Sequence, residues 1–468
     1  MQTKHENEND DDIHAAAVVV VGTGIAGLTC ASELAKASCR VLVYEASAQI
    51  GGRLRQTTSS PSTPSGIELG AQFVHGTSGD MSARLLDEVG REHVRSLPWP
   101  DATYSKERGW CRADDDAVLK AAEEAMEGLE STSAPATESV AEALAYSDTA
   151  VLDTARAVYS NDYGTDLHGL GAAAVAEELA AWESGEDYGV LVGRQSSDNN
   201  WSVLVKSLAK NLDITTNARL VRVVHWQEGD RKPLELHFSD GRVANAAVAV
   251  LALPLTVLRE GDVIFDPPLP AWKLRAWCIM QMDNCLKIIL SFDKAFWESE
   301  KTMEWDVVCP GSFLPELWFQ SPSGPIPCDS AVAVAFLGGT AANDVANMPK
   351  EDVINRSLEQ LDFMFGTADE PKPATKHYKP PGTVFSWRHD VPNVRGGYSF
   401  PTVCDGSDVR FAASRACGRL IFAGEHTHAS MNPCIQAAMD SGVRAARDVT
   451  NAMRGSTRAK GENSRSKL

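Results

Sequence analysis

A glycine turn between a β-branched strand and a helix constrains this chain more than any other feature. Near the N-terminus, Ala17-Val18-Val19-Val20-Val21 runs into Gly22-Thr23-Gly24-Ile25-Ala26-Gly27, then a helical stretch, then Arg40-Val41-Leu42-Val43-Tyr44-Glu45. A buried strand that ends in such a turn reads as the start of a βαβ unit. Gly22 permits the tight turn, Gly24 lets the backbone approach a pyrophosphate, and Gly27 lets the helix pack close to the sheet. The helix opened by Ile25 and Ala26 aims free N–H groups and the positive end of its dipole at the phosphates. Glu45 ends the second strand, where an acid meets a ribose hydroxyl, and its charge disfavours a 2′-phosphate. A strand–helix turn without a ligand is the plain alternative. Strand, turn, helix and acid in this order specify a dinucleotide.

The segments that follow narrow the cofactor. Glu45-Ala46-Ser47-Ala48-Gln49-Ile50-Gly51-Gly52-Arg53 adds a glycine pair and a planar, permanently charged fork suited to a phosphate or a flavin edge. Glu68-Leu69-Gly70-Ala71-Gln72-Phe73-Val74-His75-Gly76 comes next, and Leu420-Ile421-Phe422-Ala423-Gly424-Glu425-His426-Thr427 lies near the far end of the chain. In these motifs and their order the sequence resembles the FAD-dependent amine oxidase family, which includes the polyamine oxidases and monoamine oxidases. The resemblance spans most of residues 15–450 and is loosest over 90–200. It implies FAD contacted by Gly52, Arg53, Gly70, Ala71, Gln72, Phe73, Gly424 and Glu425. It also implies that the backbone near Leu220 and Val221 closes on the adenine.

The chain has 468 residues, too many for one ordinary core, with 43% hydrophobic and 23% charged residues. A net charge of −19 disfavours nucleic acid and anionic membrane surfaces and mildly favours cationic ligands. Ten cysteines without a CxxC pair read as reduced thiols, not as a disulfide frame or a zinc site. Met1 to His14 is acidic and polar and does not read as a secretory signal or transit peptide. The longest apolar run, Ala246 to Leu258, is too short for a membrane span, contains Pro254, and reads as one buried parallel strand.

The expected fold is α/β: a Rossmann-like FAD-binding domain interleaved with an α+β substrate domain carrying a mixed sheet and helices. The FAD-binding domain takes residues 15–95, 205–265 and 385–453, and the substrate domain takes 96–204 and 266–384. Residues 1–14 read as a disordered acidic N-terminus and 454–468 as a flexible tail. Helical spacing dominates 115–185. Cys285 to Phe292 and Ala331 to Leu337 are strand-like, and Met348 to Phe365 reads as an amphipathic helix. Thr57 to Gly66 reads as a Ser/Pro/Thr-rich surface loop.

Three side chains are the catalytic candidates. Lys287 sits inside the apolar run Cys285-Leu286-Lys287-Ile288-Ile289-Leu290, where burial is costly unless satisfied. A lysine snorkelling from an edge strand is the bland alternative. The resemblance places it at the flavin face, holding a water on N5 and assisting reoxidation by O2. Tyr398, in Gly396-Gly397-Tyr398-Ser399, would wall the amine channel, with Trp387 leaning on the flavin; both could be plain core aromatics. His75 stands where polyamine oxidases carry a His or Glu near the substrate nitrogen, and can share a proton near neutral pH. A structural histidine is the alternative.

Pro433 to Gly442 departs from the family pattern at Pro433, Cys434 and Ala437. Its helix, beginning near Cys434 and Ile435, still aims N–H groups at the flavin O2 and N1. No cysteine stands at Tyr398, where monoamine oxidases attach flavin, so FAD is expected to be non-covalent.

The resemblance implies hydride transfer from a polyamine (spermine, spermidine or an N-acetyl derivative) to flavin, with O2 as acceptor. Alternatives on this scaffold are a monoamine or L-amino-acid oxidase, a carotenoid or porphyrin desaturase, and a non-catalytic FAD-binding peroxisomal protein. An amino-acid oxidase would need an arginine facing the carboxylate, with Arg388 and Arg395 as the candidates. A chromatin demethylase is disfavoured, because no long coiled-coil insertion or basic face is present. Ser466-Lys467-Leu468 is the tripeptide read by the peroxisomal import receptor, implying a peroxisomal location. No metal site is expected.

Overall fold

The computed structural model describes residues 18–58, 64–131, 134–182, 187–192, 200–230, 232–429 and 434–465. Residues 1–14 and the terminal Ser466-Lys467-Leu468 lie outside them.

Three distant parts of the chain build one parallel sheet. Its strands run in the order Leu420–Phe422, Val248–Leu251, Val18–Val21, Val41–Tyr44 and Asp213–Thr215. The central strand is buried on both faces, as its unbroken run of valines requires. Val18 and Val20 face the helices Ile25–Lys36 and Ile435–Arg465 through Ala31, Leu34, Ala445 and Val449. Val19 and Val21 face the other way, onto Leu220, Leu236 and Trp277. A second, four-stranded sheet, Val243–Ala246, Leu234–Phe238, Leu220–Val224 and Ile264–Asp266, covers that side.

The run Ala246 to Leu258 is not one strand. Ala246 closes the strand Val243–Ala246, Val248–Leu251 forms the parallel strand, and Leu255–Arg259 is a short helix entered through Pro254. Ala246, Val248–Leu251 and most of Leu255–Arg259 are buried, so hydrophobicity alone could not separate them.

A seven-stranded mixed sheet forms the second half, in the order Tyr378–Ser386, Cys285–Phe292, Ala331–Gly338, Glu316–Gln320, Asp306–Val308, Ala102–Ser105 and Gly109–Arg112. Neighbours are antiparallel except Val308 against Thr103. The helix Lys350–Phe365 lays Val353, Leu358 and Leu361 on one face of this sheet. A helical block, including Ala117–Ser131, Thr149–Ala155 and Ala172–Ala181, packs around Met126, Tyr163 and Val175. A π-helical turn, Arg156–Ser160, interrupts it. The last helix continues to Arg465, through the segment expected to be a flexible tail from Arg454; no proline breaks it. Among the described residues no helix is long and apolar enough to cross a membrane.

Candidate functional site

One cavity runs from the glycine turn to the seven-stranded sheet. Its first arm is the expected cradle. Gly22 has φ +102°, and a Cβ there would lie 2.4 Å from the Ala252 carbonyl oxygen; one on Gly27 would lie 2.0 Å from the Gly22 oxygen. Both glycines are therefore required by packing. Gly24 differs: a Cβ there meets nothing within 4 Å, because it opens into the cavity. The helix Ile25–Lys36 starts at this opening, and Ile435 of the last helix lines it too. Two helix N-termini thus face one space, an arrangement that favours anionic and polar ligand groups.

The charged residues of this arm are fixed by their neighbours. Glu45 Oε2 accepts from Thr23 N at 2.9 Å and Thr23 Oγ1 at 2.6 Å, while Oε1 accepts from Ser47 N at 2.8 Å. Arg53 Nη1 donates to Glu425 Oε1 at 2.8 Å and to the Gly397 carbonyl at 2.9 Å. Ser399 Oγ donates to the other Glu425 oxygen at 2.6 Å. Burial pushes the Glu425 carboxyl up, but the Arg53 and His426 charges and these hydrogen bonds outweigh it and hold it below the ordinary value. The two ends of the chain therefore meet as a part-buried ion pair beside the cavity.

Register across the seven-stranded sheet builds the second arm. Lys287 pairs with Phe336, and Phe336 pairs with Glu316, so the three stand in one row. Phe385 extends the row on the other side of Lys287. Lys287 is 3% exposed, and its Nζ donates to the carbonyls of Glu68 at 3.0 Å and Gly70 at 2.7 Å. Its ammonium lies 4.9 Å from the centre of the Trp318 ring. Burial pushes the Lys287 ammonium down to about 7, against the upward pull of Glu68 and Glu316. Burial likewise pushes the Glu68 carboxyl up, although Trp201 N, Gln56 and Lys287 oppose it. A lysine near neutrality, facing a cavity, is suited to proton exchange.

Aromatic side chains line the rest of this arm. His75 packs edge-on to Tyr188 at 4.7 Å, Tyr188 stacks on Trp99, and Phe73 meets both Tyr188 and Trp318. Tyr398 donates its hydroxyl to the Asp162 carbonyl. Trp387 Nε1 donates to the Leu69 carbonyl at 2.9 Å, fixing its ring against the Leu69–Gly70 segment.

The cavity wall includes His75, Lys287 and Tyr398, together with Gly22, Gly24, Ile25, Ala26, Glu45, Ala46, Gly52, Arg53, Gly70, Ala71, Gln72, Phe73, Leu220, Trp387, Gly424, Glu425, Cys434 and Ile435. Two expected cofactor residues are not on it. Gly27 lies beneath the turn as a packing glycine, and Val221 alternates away from Leu220 along its strand. Pro433 lies outside the described residues. Arg388 and Arg395 are not on the wall either; Arg395 instead pairs with Glu260 and Asp262. Sequence reasoning missed Asp162, Tyr188, Glu316 and Trp318, which line the second arm. Glu316 gave a weaker signal than Lys287, because it stands at the start of the strand Glu316-Leu317-Trp318-Phe319-Gln320, where a charge is ordinary. Among the described residues no cluster could hold a metal ion.

Comparison with known proteins agrees with this geometry. A family model described as flavin containing amine oxidoreductase matches residues 25–450. Polyamine oxidase 4 of Oryza sativa subsp. japonica is 25% identical over 446 residues, covering 92% of this chain and 87% of that protein. A possible lysine-specific histone demethylase 1 of Drosophila melanogaster is 29% identical over 292 residues, covering 57% of this chain but only 32% of that one. The solved structure of cyclohexylamine oxidase from Brevibacterium oxydans IH-35A superposes with a TM-score of 0.75 over 94% of this chain and 99% of its own. At 18% identity it speaks for the fold alone.

Proposed function

We infer that this chain, which belongs to the flavin-containing amine oxidoreductase family and uses FAD, oxidises a C–N bond of a polyamine: spermine, spermidine or an N-acetyl derivative. O2 is the acceptor and water is consumed; the products are an aminoaldehyde, a shorter amine and H2O2. The observation that carries this reading is Lys287, buried where the dinucleotide cradle opens into an aromatic chamber. The polyamine assignment draws on the polyamine oxidases among the relatives and on the acidic character of the chamber.

The cradle fits FAD: the open turn at Gly24 leaves room for a pyrophosphate, Glu45 on the cavity wall would hold a ribose hydroxyl, and the two helix N-termini would meet its anionic and polar groups. Bound FAD, held non-covalently, supplies hydride acceptance and electron transfer to O2. The residues of the chain do the rest. Arg53 and Glu425 lock the two halves of the cradle. Phe73, Tyr188 and Tyr398 form apolar walls that exclude water and orient an amine by cation–π attraction before it gives up its proton. His75, on the chamber wall, would take that proton, since hydride loss from the α-carbon needs a neutral nitrogen. Lys287 Nζ, fixed by the Glu68 and Gly70 carbonyls, would hold a water and pass protons when the reduced cofactor meets O2.

Purified yellow protein should release peroxide with spermine or spermidine and very little with amino acids. Peroxide release from amino acids alone would overturn the assignment. We place the enzyme in the peroxisome on the strength of Ser466-Lys467-Leu468. A fluorescent protein carrying the terminal segment should collect in peroxisomes and should be released when Leu468 is deleted; cytosolic signal from the intact tail contradicts the placement.

A further inference from the structure

Behind the cavity wall lies a buried carboxylate that no ligand in the cavity touches. Glu68 is 2% exposed and is not part of the wall, whereas the residues that follow it, Leu69 to Gln72, all are. Its Oε1 accepts from Trp201 N at 2.5 Å, and Gln56 Nε2 donates to both carboxylate oxygens, at 3.1 and 2.8 Å. These donors are neutral amides, and a buried charge held by neutral groups is costly to keep.

The segment that begins at Glu68 is also the seat of Lys287. An ammonium has three N–H donors, and this one spends them on a single segment. They go to the Glu68 carbonyl at 3.0 Å, the Gly70 carbonyl at 2.7 Å and Gln72 Oε1 at 3.4 Å. Two indoles hold further carbonyls of the same stretch: Trp387 Nε1 donates to Leu69 at 2.9 Å, and Trp201 Nε1 donates to Gln72 at 3.1 Å. Trp201 thus grips the segment twice, at the Glu68 carboxylate through its main chain and at Gln72 through its ring. It is itself buried, and the helix it opens, Ser202–Leu208, sets Leu204 and Leu208 in one core with Leu28 and Leu85. The loop beneath the lysine is therefore tied to a rigid anchor, and the tie runs through a charge.

That charge also reaches the lysine directly. Burial drives the Lys287 ammonium down, and Glu68 is the foremost pull against it, ahead of Glu316 on the strand Glu316–Gln320 and Cys285 on the lysine's own strand. Phe336 and Phe385, its register partners on either side, and the Trp318 ring bring no charge.

We propose that Glu68 is the positioning residue for Lys287: its carboxylate, through Trp201 and Gln56, fixes the carbonyls that hold the ammonium at the cavity. A group that gives up and regains a proton at each turnover needs a seat that does not move with its charge. Glu68 supplies that seat from a place no substrate reaches. The role rests on the reading that Lys287 serves reoxidation by O2.

The test follows O2-driven reoxidation of the amine-reduced, FAD-loaded enzyme across the neutral pH range. In Glu68→Gln the new amide oxygen keeps the bond from Trp201 N, and Gln56 can turn its own amide to meet the new N–H, so little but the charge is removed. FAD content and anaerobic bleaching by spermine should match wild type. Reoxidation should slow roughly tenfold. Its pH midpoint should move down by about one unit, because an ammonium that loses an anionic neighbour gives up its proton more readily. Glu68→Asp keeps the charge and should keep the wild-type midpoint. Trp201→Phe keeps a ring and removes only the indole donor, so it should slow reoxidation with the midpoint unmoved; it carries the test where Glu68→Gln yields too little holoenzyme. Wild-type rate and midpoint in these variants, with Lys287→Met slowed, would overturn the role of Glu68 and leave that of Lys287 intact. Wild-type reoxidation in Lys287→Met would overturn both.

Discussion

A charged side chain inside an apolar strand, Lys287, is the residue-scale fact on which this account turns, and a second buried charge, Glu316, opens another strand in the same cross-sheet row. Lys287 is satisfied by carbonyls of the Glu68–Gln72 segment, so its methylene stem packs like a core residue while its amine stays in the cavity. Lys287→Met should keep the fold and FAD but slow reoxidation by O2 roughly ten- to a thousand-fold, with amine-driven bleaching less affected. Stopped-flow traces with wild-type reoxidation would make this lysine structural. Glu316 gives the pH counterpart. Burial, then the Asp162 charge, raises its carboxyl to about 8, against Asn161, Trp99 and Lys287. A raised carboxyl is neutral below that pH and anionic above it, whereas aliphatic amines stay charged to about 10. The polyamine KM should therefore fall as pH rises through about 8, by up to about tenfold per unit on the acid side. Glu316→Gln should flatten the profile; a KM that rises through this window contradicts a part for Glu316 in the acidic character of the chamber.

At the scale of elements, the strand–turn–helix of the N-terminus separates packing from binding within six residues. Gly27→Ala puts a methyl 2.0 Å from the Gly22 oxygen and should prevent the helix from seating, giving little soluble protein. At Gly24 an added Cβ meets nothing within 4 Å, so Gly24→Val should fold yet purify colourless, with the valine in the space the pyrophosphate needs. Colour retained in Gly24→Val would place the cofactor elsewhere. The strands around Lys287 and the helix Lys350–Phe365 were legible because their patterns are long and uniform. The strands Ala102–Ser105 and Gly109–Arg112 were not: each has four residues, they pair with each other as a hairpin, and only Thr103 joins them to the sheet, through Val308 about two hundred positions away. Asp162 was hidden for a related reason. Its entry into the chamber depends on a π-helical turn, which leaves no period in the sequence.

At the scale of the whole molecule, the site exists only when distant segments assemble. Arg53 and Glu425 are 372 positions apart and pair at 2.8 Å. The parallel sheet draws its strands from the two ends and the middle of the chain. Local motifs could identify the cradle because glycine turns and acids are read within a few residues. The chamber is different, since it arises from cross-strand register between Lys287, Phe336 and Glu316. The central claim joins these halves: electrons from a polyamine bound in the chamber must reach the FAD held in the cradle. Anaerobic mixing of the purified yellow protein with spermine or spermidine tests it most directly, followed by admission of O2. The account predicts saturable loss of the oxidised-flavin absorbance, then its full return with one H2O2 released per flavin. Flavin that stays oxidised under saturating polyamine would contradict it.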